Sequence, residues 1–301
     1  MAAMLMLVLV PSGGLAQVDT PSIPVPADES TKSWAKLSYS HLFETDVDDS
    51  SLEVSRNTAM FIAGHRFGDP GNKLRFSLQG AYQLTDYDFS NDTGLLWEDI
   101  HQFTLIGLMT YVLDAKWTLL GGGVFRLAGE SGADFGDALT GGGFAGFLYS
   151  ATEDLKLGVL LGAVSQLEDG AAVLPLPLVR WKLSDDWRFN LGAQHLGSVG
   201  YGPELLYAPS AAWDLGVNAS IQRRRYRLED SGLTEGFIGD ETSVPIVFKA
   251  AWHPEPHIDL GVFAGVVTGG SLRMETSTGN KVLDENYDAS ATLGLHGTIR
   301  F

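Results

Sequence analysis

Apolar and polar residues alternate along most of the chain after residue 33. The clearest alternating segments are residues 74–85, 102–111, 213–222, 243–252 and 292–301. A period of two places successive side chains on opposite faces of a sheet, and the spacing of three to four residues that marks a helix is convincing nowhere. The pattern therefore predicts an all-β protein.

Two kinds of connection separate these segments, and they alternate along the chain. Tight polar turns are predicted at 68–73, 113–117, 151–155, 184–187, 208–213 and 253–258. Longer acidic loops are predicted at 44–53, 86–99, 130–137, 229–241 and 273–288, with shorter ones near 167–170 and 198–202. Short turns on one side and long loops on the other are typical of bacterial outer-membrane barrels. Three tryptophans each follow a turn and are predicted to lie in an aromatic girdle: Trp117, Trp187 and Trp213.

The number of connections predicts the number of strands. Six turns and seven loops give thirteen connections, and hence a closed antiparallel up-and-down transmembrane β-barrel of about fourteen strands. Twelve strands are the alternative, because the segment 203–208 is short and Pro175 and Pro177 interrupt another segment.

The last segment, TLGLHGTIRF (292–301), alternates throughout and ends on an aromatic residue. Because the backbone groups of an open sheet edge are unsatisfied in lipid, we expect this strand to pair with the first strand, around residues 34–43. Phe301 is predicted to be an assembly signal that the barrel-assembly machinery of the outer membrane reads.

The amino terminus is predicted to be an export signal over residues 1–16. An apolar core at 2–10 precedes the small residues Gly14 and Ala16, which indicate cleavage before Gln17, although no Lys or Arg precedes the core. Residues 17–32 are predicted to be a flexible lead-in, and 33–301 the barrel. The predicted location is the bacterial outer membrane, and an autotransporter is not expected because no passenger domain precedes the barrel.

Three stretches carry a resemblance to a known family. They are QLEDGAAVLPLPLVRWKLSDDWRFNLG (166–192), LGVNASIQRRRYRLED (215–230) and GGSLRMETSTGNKVLDENYDASATLGL (269–295). In order and from about residue 95 onward, the chain resembles a family of uncharacterised outer-membrane β-barrel proteins of Gram-negative bacteria. The resemblance implies a location and an architecture, and it implies no activity, ligand or catalytic residue.

The composition of the chain excludes several kinds of functional site. The chain has no cysteine, so disulfides, thiolate metal sites and a cysteine nucleophile are excluded, and it has no apolar stretch long enough for a transmembrane helix. The net charge is −17, and most acids fall in the predicted external loops. These carboxylates either bind the divalent ions of lipopolysaccharide or form a solvated, repulsive surface.

The only basic run is QRRRYRL (222–228). Counting from Trp213 as an interface residue, alternation places Arg223, Arg225 and Arg227 on the outward face at the opposite rim. There they are predicted to bind lipid phosphate, which arginine contacts through two parallel hydrogen bonds. The alternative is that they extend to water or pair with nearby loop acids.

Other basic residues are predicted to face the barrel interior or its periplasmic rim. They are Arg75, Lys156, Arg180, Lys182, Arg188, Lys249 and Arg300. A narrow passage lined mainly by one sign of charge concentrates the opposite ion, so an open lumen is predicted to prefer anions. The same face carries Phe144, Leu160, Leu174 and Leu176, so part of it is either packed shut or suited to apolar solutes.

Catalytic groups are not evident. YSHLF (39–43) and QHLGS (194–198) each place a serine near a histidine, but neither has a recognisable third partner, and His253 and His257 flank a proline turn as expected interface residues. We therefore predict no enzyme, cofactor, metal site or nucleic-acid partner, and the oligomeric state stays open. The leading functional hypothesis is a passive pore or small-solute channel. A structural barrel without significant flux and an outer-membrane lipid hydrolase are the alternatives.

Overall fold

The structure is a computed structural model, and it describes most of the chain. The described residues are 32–91, 96–167, 169–193, 200–229 and 234–301. The predicted export signal, the lead-in apart from Lys32, and the QHLGS stretch lie outside these residues.

The described chain is built from sixteen strands in one antiparallel sheet. They are β1 (Ser33–Asp46), β2 (Glu53–Phe67), β3 (Leu74–Ser90), β4 (Asp99–Val112), β5 (Trp117–Glu130), β6 (Leu139–Ser150), β7 (Leu155–Gln166), β8 (Asp169–Lys182), β9 (Trp187–Ala193), β10 (Tyr201–Ser210), β11 (Trp213–Ala219), β12 (Gln222–Arg227), β13 (Ile238–Glu255), β14 (Ile258–Glu275), β15 (Lys281–Tyr287) and β16 (Ser290–Arg300). β11 and β12 run successively along β13, and β15 and β16 run successively along β14. Each pair therefore counts as one interrupted strand, and the barrel has the predicted fourteen strands.

The first and last strands close the barrel, as predicted. β1 and β16 pair in register from Trp34 opposite Arg300 to Leu42 opposite Thr292. Beyond this ladder, the amide of Ser33 donates to the carbonyl of Phe301 over 2.9 Å, and the Phe301 amide donates to the Ser33 carbonyl over the same distance. No sheet edge is left at this seam, which satisfies the requirement that lipid imposes.

The six predicted turns all lie at one end of the barrel, which we call the periplasmic end because short turns are periplasmic in outer-membrane barrels. The opposite, extracellular end differs from the prediction. Residues 238–241 and 281–287, predicted as loop, are strand, because β13 and β14 are 18 residues long and carry β15 beyond the expected membrane span. Their pairing satisfies backbone groups that a loop would leave to water.

The outer surface of the barrel carries a belt of exposed apolar side chains. Phe61, Phe125 and Phe248 are among its members, and Phe248 is 68% exposed. Trp117 and Trp213 open β5 and β11 at the periplasmic margin of this belt, as the aromatic-girdle prediction requires. An exposed apolar belt bounded by aromatics is the surface that a bilayer covers. Among the described residues, no helix is long and apolar enough to cross a membrane.

β12 leaves the barrel wall and crosses the extracellular end. After Ser220 it keeps its pairing with β13, but its other edge reaches the far wall, where Arg227 forms a parallel bridge with Gly129 of β5. Both faces of β12 are consequently covered, and Arg225, Tyr226 and Arg227 are buried. The strand therefore divides the end of the lumen rather than lining it.

Candidate functional site

A cavity of about 520 Å³ occupies the lumen between the periplasmic end and β12. One side of it is apolar. Phe144, Leu148 and Leu160 face it from β6 and β7, and Leu174 and Leu176 face it from β8. The inner-face positions expected for Phe144, Leu160, Leu174 and Leu176 are thus lumenal.

A glycine in the wall makes room for this apolar side. The Phe144 ring lies over Gly122 of β5, where an added Cβ would collide with both the ring and the carbonyl of Gly107. Small residues inside strands let neighbouring groups approach closely. The glycine therefore sets how deep the aromatic side chain sits.

The remainder of the cavity is basic. Seven cationic side chains line it, against two acidic ones, Asp214 and Asp259. Five of the cationic side chains are among those predicted to face the lumen: Arg75, Lys156, Arg180, Arg188 and Arg300. Alternation in β1 and β2 also carries Lys36 and Arg66 inward, and sequence reasoning missed both.

The other two cations predicted on the interior face or the periplasmic rim, Lys182 and Lys249, lie outside the cavity lining. The ammonium of Lys249 is buried on the inner wall of β13, 3.4 Å from the carboxylate of Glu204 on β10. Lys182 ends β8 at the periplasmic rim and pairs with Asp185 over 2.7 Å, with the carboxylate almost fully exposed. Neither contributes to the cavity lining.

A chain of hydrogen-bonded charged and polar side chains borders the cavity at its periplasmic mouth. Arg188 donates to Asp214 over 2.8 Å, and the carboxylate of Asp214 lies 3.3 Å from Nε2 of His253. Nδ1 of His253 lies 2.6 Å from Asp259, which also accepts from Arg300 over 3.0 Å. His253 is therefore a member of this network and not the simple interface residue that its proline turn indicated.

The arginine run at the extracellular end does not point outward as predicted. The guanidinium of Arg223 contacts both carboxylate oxygens of Asp240, and Nε of Arg223 lies 2.8 Å from Oδ1 of Asp240. Arg225 lies 3.2 Å from Glu275, and Arg227 donates to the carbonyl of Gly236. The outward placement is wrong because the break at Ser220 turns the strand across the lumen. Arg223 and Arg225 there pair with Asp240 and Glu275, in line with the alternative of pairing with loop acids, and Arg227 binds a backbone carbonyl.

Glu241 is the centre of this crossing. Its carboxylate contacts Arg56 from β2 and lies 3.2 Å from Arg224 of β12. The hydroxyls of Tyr87 and Tyr287 donate to it over 2.6 and 2.7 Å. One buried carboxylate thus joins β2, β3, β12, β13 and β15, and multiple donors of this kind offset the cost of burying the charge.

Apolar packing completes the closure around Glu241. Side chains of the wall strands, of two extracellular loops and of the β12 segment pack into one buried cluster. Its members are Leu42, Val47, Val54, Tyr87, Trp97, Ile100, Ala128, Tyr226, Leu228, Val267, Leu272, Met274 and Tyr287. The rings of Trp97 and Tyr226 lie edge to face with centroids 5.5 Å apart. In this conformation the extracellular end of the lumen is a packed core.

Serine–histidine contacts occur in the described part of the chain at places other than YSHLF. Oγ of Ser131 lies 3.0 Å from Nε2 of His101, whose Nδ1 lies 2.7 Å from the Tyr82 hydroxyl, and Oγ of Ser33 lies 2.7 Å from Nδ1 of His65. Nδ1 of His41 lies 2.9 Å from the side-chain oxygen of Asn57, so this histidine contacts an amide rather than a serine. No group of three or more His, Cys, Asp or Glu that could hold a metal ion occurs among the described residues.

Comparison with known proteins adds evidence at the level of the fold. The chain is 11% identical to a FadL homologue from Pseudomonas aeruginosa, over 94% of this chain and 95% of that one, with a TM-score of 0.50. The fold is that of an outer-membrane β-barrel. An outer-membrane channel from Pseudomonas putida F1 is 13% identical over 92% of this chain and 99% of its own, with a TM-score of 0.49. The chain is 8% identical to the KdgM porin in complex with disordered oligogalacturonate, over 88% of this chain and 99% of that one, with a TM-score of 0.39.

No protein-family model and no curated protein matches the chain. The architecture implied by the sequence resemblance is nevertheless the one observed. With the closed sheet and the exposed apolar belt, it places the protein in the outer membrane.

Proposed function

We propose that the protein is a passive channel for small solutes. The observation that carries the proposal is the lumenal cavity of about 520 Å³, which combines an apolar side with seven cationic and two acidic side chains. A cavity of this size, apolar with a few converging polar groups, is typical of small-molecule sites. Its excess of positive charge favours solutes that carry negative charge.

A barrel without significant flux is the second candidate. The packed extracellular end favours it, since the described side chains around Tyr226 and Glu241 form a buried cluster that extends from β12 to the wall. The two candidates differ in conductance across a planar bilayer, where a channel conducts and a structural barrel is silent. A lipid hydrolase, which needs a serine beside a histidine, is the third candidate. The described serine–histidine contacts are Ser131 with His101 over 3.0 Å and Ser33 with His65 over 2.7 Å, and hydrolysis of labelled phospholipid tests it.

We infer further partners from the surface. Phe301, exposed on the outer face beside the β1–β16 seam, is proposed to contact the barrel-assembly machinery. The acidic extracellular loops are proposed to bind the divalent ions of lipopolysaccharide. The buried pairing of Arg223, Arg225 and Arg227 removes them from the groups available to lipid phosphate.

Ion selectivity tests the basic cavity. We expect the wild-type channel to prefer anions, and the preference to fall when Arg75, Arg188 and Arg300 are replaced together with Gln. The excess of cationic over acidic lining groups drops from five (seven minus two) to two (four minus two). Reversal potentials across a salt gradient measure the change. Cation preference in the wild type would refute the proposed basic lumen.

A matched control separates cavity charge from total charge. Lys73, Lys116 and Lys281 lie outside the cavity lining and are exposed. Replacing them together with Gln changes the net charge by the same amount. Their replacement should leave the reversal potential unchanged, because exposed charges at the ends of the barrel are screened by salt.

A further inference from the structure

Two cationic side chains lie directly opposite each other on neighbouring strands of the inner wall. Lys156 of β7 pairs in register with Arg180 of β8, and both side chains line the lumenal cavity near its periplasmic end. Like charges placed directly opposite each other on two strands repel and destabilise the sheet. A negatively charged group bound between the ammonium and the guanidinium would offset this repulsion, so the pair is suited to hold an anion.

The acidic residues of the cavity lining lie on other strands. Among the described residues they are Asp214 of β11 and Asp259 of β14, and both are hydrogen-bonded within the network at the periplasmic mouth. Asp154, in the turn before β7, is exposed and lies outside the lining. The described lining residues of β6, β7 and β8 therefore include two cations and no acid.

A strip of apolar side chains extends from this cationic pair toward the extracellular end. The next inner-face positions of β7 and β8 are Gly158 opposite Leu178 and then Leu160 opposite Leu176. Leu148 and Phe144 continue the strip on β6. Because a strand rises about 3.3 Å per residue, Leu160 lies about 13 Å along β7 from Lys156. The cationic pair and the strip are thus close enough to contact the two ends of one small molecule.

Glycines let the apolar strip lie flat against the wall. An added Cβ at Gly158 would lie 2.8 Å from Cδ2 of Leu148, and one at Gly146 would lie 2.9 Å from Cδ2 of Leu160. Each leucine side chain therefore covers a glycine of the neighbouring strand, in the same way as Phe144 covers Gly122. The strip consequently presents an apolar surface to the cavity without filling it.

We propose that Lys156 and Arg180, together with the apolar strip of β6, β7 and β8, form a binding site for small carboxylates with an apolar body. The carboxylate lies between the two cations, where the guanidinium can donate two parallel hydrogen bonds and the ammonium acts as a point charge. The apolar body lies along the strip, which removes apolar surface from water. The inference deepens the proposed channel function, on which it rests for its role in transport.

Calorimetric titration tests the site with three ligands. Phenylbutyrate has both the charge and the apolar body, butyrate lacks the ring, and phenylbutanol lacks the charge. Each is titrated into the protein folded in a non-ionic detergent, and protein-free micelles provide the reference. We expect phenylbutyrate to bind about tenfold or more tightly than either of the others, because only this ligand contacts both the cationic pair and the strip.

Variants of the cationic pair identify where the charge is recognised. Lys156→Gln combined with Arg180→Gln should weaken phenylbutyrate binding about tenfold and leave phenylbutanol binding unchanged. Lys73→Gln combined with Lys116→Gln makes the same change of net charge outside the cavity lining and should alter neither affinity. Lys156→Gln alone keeps the test available if the double variant fails to show the heat-modifiable gel band of a folded barrel.

A reversal of charge separates a local site from the general field of the lumen. Lys156→Glu combined with Arg180→Gln should make phenylbutylammonium bind more tightly than phenylbutyrate. The five other cationic lining groups (seven minus two) remain in this variant, so a preference set by the whole lumen would still favour the anion. A retained anion preference would therefore overturn the assignment to Lys156 and Arg180.

Three further results would overturn the proposal. They are equal affinities of phenylbutyrate and butyrate, equal affinities of phenylbutyrate and phenylbutanol, and equal losses in the cavity variant and its control. Binding requires no ion flux. A barrel that is silent in planar bilayers can therefore still bind phenylbutyrate, and a conducting barrel can lack the site, so failure of the channel proposal and failure of the binding site are distinguishable.

Discussion

Replacing Glu241 with Ala should open the extracellular end of the barrel and destabilise it. The substitution leaves Arg56 and Arg224 buried without their carboxylate partner and removes the acceptor of two tyrosine hydroxyls. Breaking a buried ion pair on one side typically costs about 3–5 kcal/mol. We expect a lower urea midpoint for loss of the heat-modifiable gel band and a larger single-channel conductance.

Asp284→Ala provides the matched control at the same end of the barrel. Asp284 pairs with Arg273 over 3.1 Å and contacts Lys281, but Asp284 and Lys281 are exposed and Arg273 is only half-buried. Exposed pairs contribute about 0–1 kcal/mol, so this variant should behave like the wild type. If the Glu241 and Asp284 variants shared one urea midpoint and one conductance, the closure assigned to Glu241 would be incorrect.

Replacing Phe301 with Ala should sharply reduce the amount of folded protein in the outer membrane. Phe301 is 72% exposed on the outer face and its backbone forms both hydrogen bonds of the last pair with Ser33. The substitution keeps the backbone pair, so a loss of folded protein would report recognition of the aromatic side chain. Unboiled gels of outer-membrane fractions compare the folded bands.

Phe67→Ala is the corresponding control for a lost aromatic contact with lipid. Phe67 ends β2 at the same periplasmic rim and is 50% exposed on the outer surface. It lies on β2, which pairs with β1 on the side opposite β16, and takes no part in the β1–β16 pairing, so its variant should assemble normally. Similar losses in both variants would assign the effect to lipid contact in general and would contradict a role for Phe301 as an assembly signal.

Much of the wall could be predicted from the sequence because a bilayer imposes a strict period of two. Each strand must present apolar residues such as Phe125 and Leu295 to lipid, and the polar or small residues between them must face inward. The turns could be predicted for a related reason, since Trp117 and Trp213 mark the points at which β5 and β11 enter the membrane interface.

Less of the barrel interior could be predicted from the sequence, because alternation carries no information about contacts across the lumen. The run at 222–228 lacks alternation since both of its faces are covered, and this lack was the available signal that it leaves the wall. Its acids, Asp240 and Glu241, follow at hairpin distance and pair with it in register.

The crossing of β12 also constrains the order in which the protein can form. Glu241 is separated from its partners Arg56 and Tyr87 by 185 and 154 residues, and Arg227 meets Gly129 almost a hundred residues away. The loop-closure entropy of contacts between such distant segments falls once the strands between them have paired. We therefore expect the neighbouring strands of the wall to pair before β12 docks across them, so the end of the protein that faces the environment should become native late.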